Sequence, residues 1–570
     1  MKTSAQPAAR ILASLLVGHG IKNVVTSPGS RNAPLVVAVS RRAELTTHVV
    51  IDERSAGFVA LGMAVQSGSP VALICTSGTA LLNYAPAVAE AYYRCIPLIV
   101  VSADRPARWI DQDDSQTIRQ FEALANIVNM SVDIQSDFTA TDSVWFANRQ
   151  INDAILSATS RRPGPVHINI QLDEPLGELC EPADDKTETR IIHAIKPELT
   201  VSTATMRHLV RTHIAPSKKV LIVAGFMAPD ERMTRAMNKI AEIPNITLFF
   251  EAQSNLQHCK GGFGMIDRLL SACGEQTLEN LKPDLVISLG GSLVSRKVKR
   301  WLRDSRDIVH WHVGIGPRDR SIDVFKMLDT RFEVDPVIFM QAFASAVQPL
   351  KTSGVSYQSK WKEIFSKACN DTDGEGWSDL IAVQTLVEGL DKKVNLHVSN
   401  GTAIRYLQLC DYRHIHRIEC NRGVSGIDGS TSTAVGASML YTGPTVLLTG
   451  DMSARYDVGA LTLSNIPARF SIVILNNGGG DIFRVIASTR QLDEREQYFA
   501  CADSVASFKG LADATGFDYV KAENIDELKH ALPLLNAKRD RPLLLEIKTA
   551  ESDNAAILRQ FLGNTNRLKL

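Results

Sequence analysis

The stretch Thr449–Phe483, TGDMSARYDVGALTLSNIPARFSIVILNNGGGDIF, decides the fold. A β-rich run from Thr445 to Leu448 leads into Gly450-Asp451, and a helix-compatible stretch follows. A second apolar run then ends in Asn476-Asn477. The 26 positions from Asp451 to Asn477 leave room for one complete βαβ crossover. Adjacent strand ends then bring a carboxylate and an amide together. With a nearby backbone carbonyl they offer hard oxygen ligands suited to magnesium, which keeps phosphate and water in its other positions. Gly450 and Gly478 to Gly480 allow the backbone to approach a diphosphate, whose oxygens exposed amides can bind. An ordinary turn with Asp451 as a helix cap explains the first half alone; the two halves at crossover spacing point to a bound diphosphate and metal.

Outward from this stretch, short β-rich runs alternate with longer helix-compatible segments. NVVTS, VALICTSG, PLIVVSAD and PVHINI come first; KKVLIVAG, ITLFFEA, PDLVISLGG and DIVHWHVG follow; VNLHVSNG, HRIECNRG, TVLLTGD, FSIVILNN and PLLLEIKT come last. Continuous apolar runs suit strands buried on both faces of a parallel sheet, and alternation with helices indicates doubly wound α/β domains. Polar intervals at Cys180–Arg190 and Gln348–Lys360 read as linkers. They predict three α/β domains with parallel sheets, at 1–185, 186–355 and 356–570. Strand ends are small or polar chiefly in the first and third: SPGSR, TSGT, SADRP, SNGT, CNRG, TGDMS, NNGGG. Because ligands of open parallel sheets bind beyond the strands' carboxyl ends, the first and third domains are expected to build the site.

The composition removes several classes of function. Acidic and basic residues number 62 each, so no global field gathers nucleic acid or an anionic membrane, and an anionic ligand must be drawn by local arginines. No apolar run approaches the ~20 residues of a membrane span. The start reads as an amphipathic helix with Ile11, Leu12, Leu15 and Leu16 on one face, ended by Gly18 and Gly20, rather than as a signal peptide. Nine cysteines are scattered singly, with Cys75 and Cys95 read as lying in apolar strands. Neither a disulfide framework nor a zinc site is indicated, and a cytoplasmic protein is the plain reading.

Gly-Asp, a crossover and Asn-Asn together resemble the cofactor motif of the thiamine-diphosphate-dependent decarboxylases and carboligases, and the resemblance extends over the whole chain. It implies a pyrimidine-binding domain, a central domain and a diphosphate-binding domain in that order. It implies thiamine diphosphate held with Mg2+ or Mn2+, the metal on Asp451, Asn477 and Gly479, and cofactor contacts from Gly450, Met452, Ser453 and Thr79. Glu53, in VVIDERSAGF, matches the family's glutamate, which contacts the aminopyrimidine ring and helps the cofactor lose its proton. A carboxylate buried against an organic ring has its pKa raised by desolvation, the condition for sharing a proton there. Read alone, Glu53 is an N-terminal helix charge with Asp52 as the cap. Ile427, in RGVSGIDG, matches the apolar residue that props the bent cofactor.

Within the family, SPGSRNAPL, DERSAGF, TSGTALLNYAPAVAEAYY and SADRP resemble the branch serving menaquinone biosynthesis. Its members decarboxylate 2-oxoglutarate and add the succinyl unit to isochorismate. Both substrates carry two carboxylates, so arginines are expected around the cofactor. Arg31, Arg105, Arg405 and Arg422 lie at strand ends, and Arg296 matches in the central domain with Lys297 beside it. Ser30, Gln116 and Thr402 are the expected polar substrate contacts. Ser115 stands where the family often has Asn, Gly401 where a serine is expected, and Gly478 where Asn or Asp commonly follows the pair. The resemblance implies a homodimer at minimum and a homotetramer as the expected assembly. The competing readings are an acetolactate-synthase-like carboligase acting on pyruvate and a non-catalytic cofactor-binding paralogue.

Overall fold

In the computed structural model of the chain, the apolar runs become the inner strands of three parallel six-stranded sheets, except HRIECNRG, which forms the edge strand Arg417–Glu419. It describes residues 2–181, 187–197, 199–214, 218–348, 356–370, 376–501, 507–549 and 553–563. The expected linkers at Cys180–Arg190 and Gln348–Lys360 lie partly outside these, at 182–186 and 349–355. Two compact units emerge. One comprises Met1–Pro197, Gly423–Thr442 and Arg455–Phe470, the other Glu198–Arg422, Gly443–Ala454 and Ser471–Leu570.

The first unit holds the N-terminal sheet, in the order Thr46–Val49, Asn23–Thr26, Val71–Cys75, Leu98–Asp104, Val166–Gln171 and Ser131–Ile134. Alternate residues of its inner strands feed two separate cores. Ile74 and Val101 face one, Leu73 and Val100 the other. Burial on both faces is the reason these strands are apolar at successive positions. The helix Glu53–Ser67 is capped by Asp52, whose side chain accepts from the N–H groups of Arg54 and Ser55. It packs against the helix Ser430–Leu440 at van der Waals limits: a Cβ at Gly62 would lie 1.9 Å from the Thr433 carbonyl oxygen, and one at Gly436 2.0 Å from that of Val59. The N-terminal helix forms as expected, over Pro7–Gly18. Cys75 ends a strand, whereas Cys95 is not in one: it closes the helix Ala85–Arg94 in a left-handed conformation. The eight cysteines described are free thiols.

The second unit holds two sheets. The central sheet runs Gly262–Phe263, Ile246–Phe250, Val220–Ala224, Leu285–Leu289, Val309–Val313 and Leu328–Phe332. The helix Tyr357–Asn370 covers one of its faces, with the Trp361 ring 4.9 Å from that of Phe249. The C-terminal sheet runs Arg417–Glu419, Asn395–Val398, Thr445–Gly450, Phe470–Asn476, Leu543–Lys548 and Asp518–Ala522. The crossover from Asp451 to Asn477 thus connects neighbouring strands, as the spacing requires. No helix among the described residues is long and apolar enough to cross a membrane.

Candidate active site

The strand order of the C-terminal sheet reverses between Asn395–Val398 and Thr445–Gly450, and open sheets bind ligands at such a switch point. Among the described residues, a Cβ built on Gly450 or Gly401 would meet no neighbouring heavy atom within 4 Å, so the crevice is open. Asp451 starts the helix Asp451–Tyr456, and its carboxylate ties two loops together. Oδ1 accepts from the Met452 N–H at 2.7 Å and Oδ2 from the Gly479 N–H at 2.8 Å. Gly478 and Gly479 have φ of 82° and 121°, which glycine alone adopts without strain at the second. The Gly479 carbonyl accepts one bond, from the Asp481 N–H at 2.9 Å, leaving a second lone pair.

Asn477 donates from Nδ2 to Asp379 Oδ2 at 2.6 Å, while its Oδ1 is buried with no hydrogen-bond partner among the described residues. A buried amide oxygen without a donor is costly unless a cation or ligand satisfies it. Burial pushes the Asp379 carboxyl up to about 7, against bonds from Thr549 and Asn477, and the charges of Asp481 and Asp451 push the same way. Acidic crowding and an orphaned oxygen fit a divalent cation. Among the described residues no three His, Cys, Asp or Glu side chains are grouped to hold a metal. A cation here therefore draws on amide and carbonyl oxygens as well as Asp451, a donor set suited to Mg2+ or Mn2+ rather than zinc. Met452 is half-buried and Ser453 buried in the first turn after Asp451.

The same unit gathers cations. Arg405, on the helix Thr402–Leu407, has its guanidinium pKa lowered to about 10, first by burial and then by the charges of Arg296 and Arg422. It donates to the Gly401 carbonyl. Arg422 donates to Asn400 Oδ1 at 2.9 Å, and its buried Nε has no partner among the described residues. Arg296 is exposed at the start of the helix Arg296–Asp304. Lys297 instead gives its ammonium to the Leu562 carbonyl at 2.9 Å, so Arg296 is the freer cation of that pair. One half-buried carboxylate, Asp267, lies within the field of Arg405, Lys297 and Lys299, and it bonds the Ser295 hydroxyl. Thr402 is buried. Gly401 has φ +100°, which explains why the expected serine is absent: a side chain there would be strained.

In the N-terminal sheet the order switches between Asn23–Thr26 and Val71–Cys75, and SPGSR emerges there. Gly29 lies so close to Thr76 that a Cβ would sit 2.3 Å from its side chain. Ser30 is exposed. Arg31 is buried, donating to the Leu172 carbonyl at 3.2 Å and pairing with the exposed Glu174 at 3.1 Å. Glu53 is half-buried at the first turn of its helix, close enough that its charge raises the pKa of Cys75 and Tyr84 beyond the effect of their burial. Asp52, not Glu53, is therefore the cap of this turn. Thr79 is exposed after Gly78. Arg105 pairs with Asp114 at 2.7 Å and donates to the Ser115 carbonyl at 3.1 Å. Gln116 is exposed with φ +60°, its Cγ within 3.1 Å of a Cβ placed on Gly78. Ile427 is half-buried in the loop before Ser430–Leu440.

Residues 7–123 match the thiamine pyrophosphate enzyme family, N-terminal TPP binding domain. A 2-succinyl-5-enolpyruvyl-6-hydroxy-3-cyclohexene-1-carboxylate (SEPHCHC) synthase of Porphyromonas gingivalis is 40% identical over 98% of this chain and 97% of its own. The chain belongs to the SEPHCHC synthase family. Synthases of that name from Flavobacterium johnsoniae and Christiangramia forsetii are 34% and 36% identical, covering 97% and 99% of this chain and 98% and 99% of theirs. The thiamine pyrophosphate match spans Ser30, Arg31, Glu53, Thr79, Arg105 and Gln116.

Three residues of this SEPHCHC synthase family member escape sequence reading. Gln120 is buried, accepting from the Gly78 N–H at 2.6 Å and donating to Asn169 at 2.9 Å. Glu90 accepts from the N–H groups of Gly423 and Val424 at 2.8 and 2.7 Å, anchoring the loop that carries Ile427. Asp379 backs Asn477. Each partner is distant in sequence, and no local pattern announces any of them.

Proposed function

We propose that this chain makes SEPHCHC from 2-oxoglutarate and isochorismate, releasing carbon dioxide, in menaquinone biosynthesis. The observation that supports this reading best is the cluster of Arg296, Arg405 and Arg422 in the unit that also carries Asp451 and Asn477. Three mutually repelling cations, one of them the buried Arg405 guanidinium, suit dianionic substrates, since Arg–carboxylate pairs are strong and geometrically specific. Pyruvate, with a single carboxylate, would leave most of that charge unanswered.

Asp451, the Asn477 amide oxygen and the Gly479 carbonyl hold a divalent metal, Mg2+ or Mn2+. Gly450, Met452 and Ser453 seat the diphosphate. Bound thiamine diphosphate supplies the carbanion-stabilising chemistry that decarboxylation and carbon–carbon bond formation require. Glu53 holds and returns a proton at its carboxylate against the pyrimidine, with Thr79 and Ile427 contacting the cofactor. Arg31, Arg105, Arg296, Arg405 and Arg422 orient the substrate carboxylates, and Ser30, Gln116 and Thr402 add neutral hydrogen bonds. The three domains expected from the sequence, 1–185, 186–355 and 356–570, divide this work in that order. The working assembly is a cytoplasmic homodimer at least, and a homotetramer in full. Val49 and Ile51, exposed at 62% and 77% beside Glu53, give a second copy an apolar surface to cover.

Paired turnover assays with Mg2+ and thiamine diphosphate test this reading. Product is expected from 2-oxoglutarate with isochorismate and not from pyruvate alone. Activity with pyruvate only would replace it with an acetolactate-synthase-like one, and no cofactor binding by calorimetry would end both.

A further inference from the structure

Asp379 opens the helix Asp379–Gly389 and is fully buried, yet among the described residues no lysine or arginine bonds it. Its partners come from beyond the ends of two strands, Phe470–Asn476 and Leu543–Lys548, and from the start of the helix Asn554–Gly563. Oδ1 accepts from the Thr549 hydroxyl, Oδ2 accepts from Asn477 Nδ2 at 2.6 Å, and its N–H donates to Asn554 Oδ1 at 2.8 Å. Thr549 follows the strand Leu543–Lys548 and donates its own N–H to the Asn476 carbonyl at 3.2 Å. The helix start is fastened there a second time, by Trp377 Nε1 on the Lys548 carbonyl at 2.7 Å.

An asparagine amide can turn over, exchanging oxygen for NH2 at nearly constant shape. Both Asp379 oxygens accept hydrogen bonds here, one from Thr549 and one from Asn477, so the amide presents its NH2 to Asp379. The oxygen then points the other way, where Oδ1 is buried without a partner among the described residues. We propose that Asp379 is a positioning residue that locks the Asn477 amide with its oxygen turned toward the metal. The inference rests on the cofactor reading above. Thr549 and Asn554 hold Asp379 in turn, which links the segment after the last inner strand to the metal site. Groups one step behind a metal ligand commonly set affinity by 10- to 100-fold.

The test measures the Mg2+ concentration that half-saturates thiamine diphosphate binding, by calorimetry on the full-length protein, with far-UV circular dichroism confirming the fold. Asp379→Leu, which keeps volume but accepts no hydrogen bond, is expected to raise that concentration about 10- to 100-fold. Asp379→Asn is expected to stay within about threefold, because its amide oxygen can face Asn477 while the Thr549 hydroxyl turns to accept. In an Asn477→Ala background, Asp379→Leu is expected to add less than about threefold, as for residues acting through one contact. An unchanged Mg2+ requirement in Asp379→Leu, or losses that add fully in the double variant, would overturn the proposal. Should Asp379→Leu not fold, Thr549→Val carries the test: a smaller rise supports the proposal and none overturns it. Absence of binding by the unaltered protein would instead remove the cofactor reading itself.

Discussion

The central and C-terminal sheets share one architecture and differ at their switch points. Between Val220–Ala224 and Leu285–Leu289 the central sheet closes its crevice with its own backbone. A Cβ on Gly225 would lie 1.9 Å from the Gly291 carbonyl oxygen, and one on Gly291 1.9 Å from the Phe226 ring. Nearby, Glu251 is buried with its oxygens taken by the N–H groups of Val294 and Ser295 at 2.7–2.9 Å. The C-terminal sheet leaves its crevice open at Gly401 and Gly450 and leaves the Asn477 oxygen without a donor among the described residues. Two parallel six-stranded sheets of different strand order thus make a packed joint at one switch point and an open crevice at the other. What separates them is whether glycine is used to bring backbone together or to keep space clear.

The largest effect should come from Glu53, the proton carrier of the proposed reaction. Glu53→Gln is expected to keep cofactor affinity within a few-fold and lower kcat by about 10²- to 10⁴-fold, the range for a lost acid–base group. Near-normal turnover in steady-state assays would remove Glu53 from the reaction. The comparison itself is tested by a pair of alanines. Gly225→Ala should cost about 2–3 kcal/mol or more in denaturant unfolding, because backbone must move to admit the methyl. Gly450→Ala should unfold like the unaltered protein yet bind thiamine diphosphate more weakly by calorimetry. Equal unfolding midpoints for the two would erase the distinction between joint and cleft.

A third prediction concerns the N-terminal sheet, where burial raises the Asp104 carboxyl to about 6 from an ordinary 3.8. Its folded-state pKa lies above the unfolded one, so the protonated form favours folding. Stability attributable to Asp104 should therefore fall as pH rises from about 4 to about 6, by about 2–3 kcal/mol in all. Asp104→Asn should lack that slope when unfolding is compared across this window, and parallel curves would refute it. The smallest effect is at Arg31, whose guanidinium already has Leu172 and Glu174 as partners. Arg31→Ala should raise a substrate KM about tenfold, the loss of one charge-assisted contact, with cofactor affinity intact. An unchanged KM would leave SPGSR as a turn that buries an arginine.

Legibility followed burial. Inner strands such as Val71–Cys75 and Phe470–Asn476 are covered on both faces and read as apolar runs. Thr46–Val49, Ser131–Ile134, Leu328–Phe332 and Asp518–Ala522 are edge strands, and none is apparent as an apolar run. Their half-exposed sequences, such as LDTRF, carry polar residues on the open side. The two-residue edge Gly262–Phe263 is too short to signal itself.

By itself the sequence determined the parallel α/β class and the crossover from Asp451 to Asn477, and it carries the strand-end arginines on which the proposed dianionic substrates rest. These are local patterns, set by burial periodicity and by residue chemistry within one loop or strand end. Only the tertiary structure decided that Gly401 must be glycine, that Lys297 is spent on the Leu562 carbonyl, and that Asp379 holds Asn477. Those depend on backbone torsion and on partners brought together from distant positions. A hydrogen bond 98 residues long leaves no pattern in the chain that makes it.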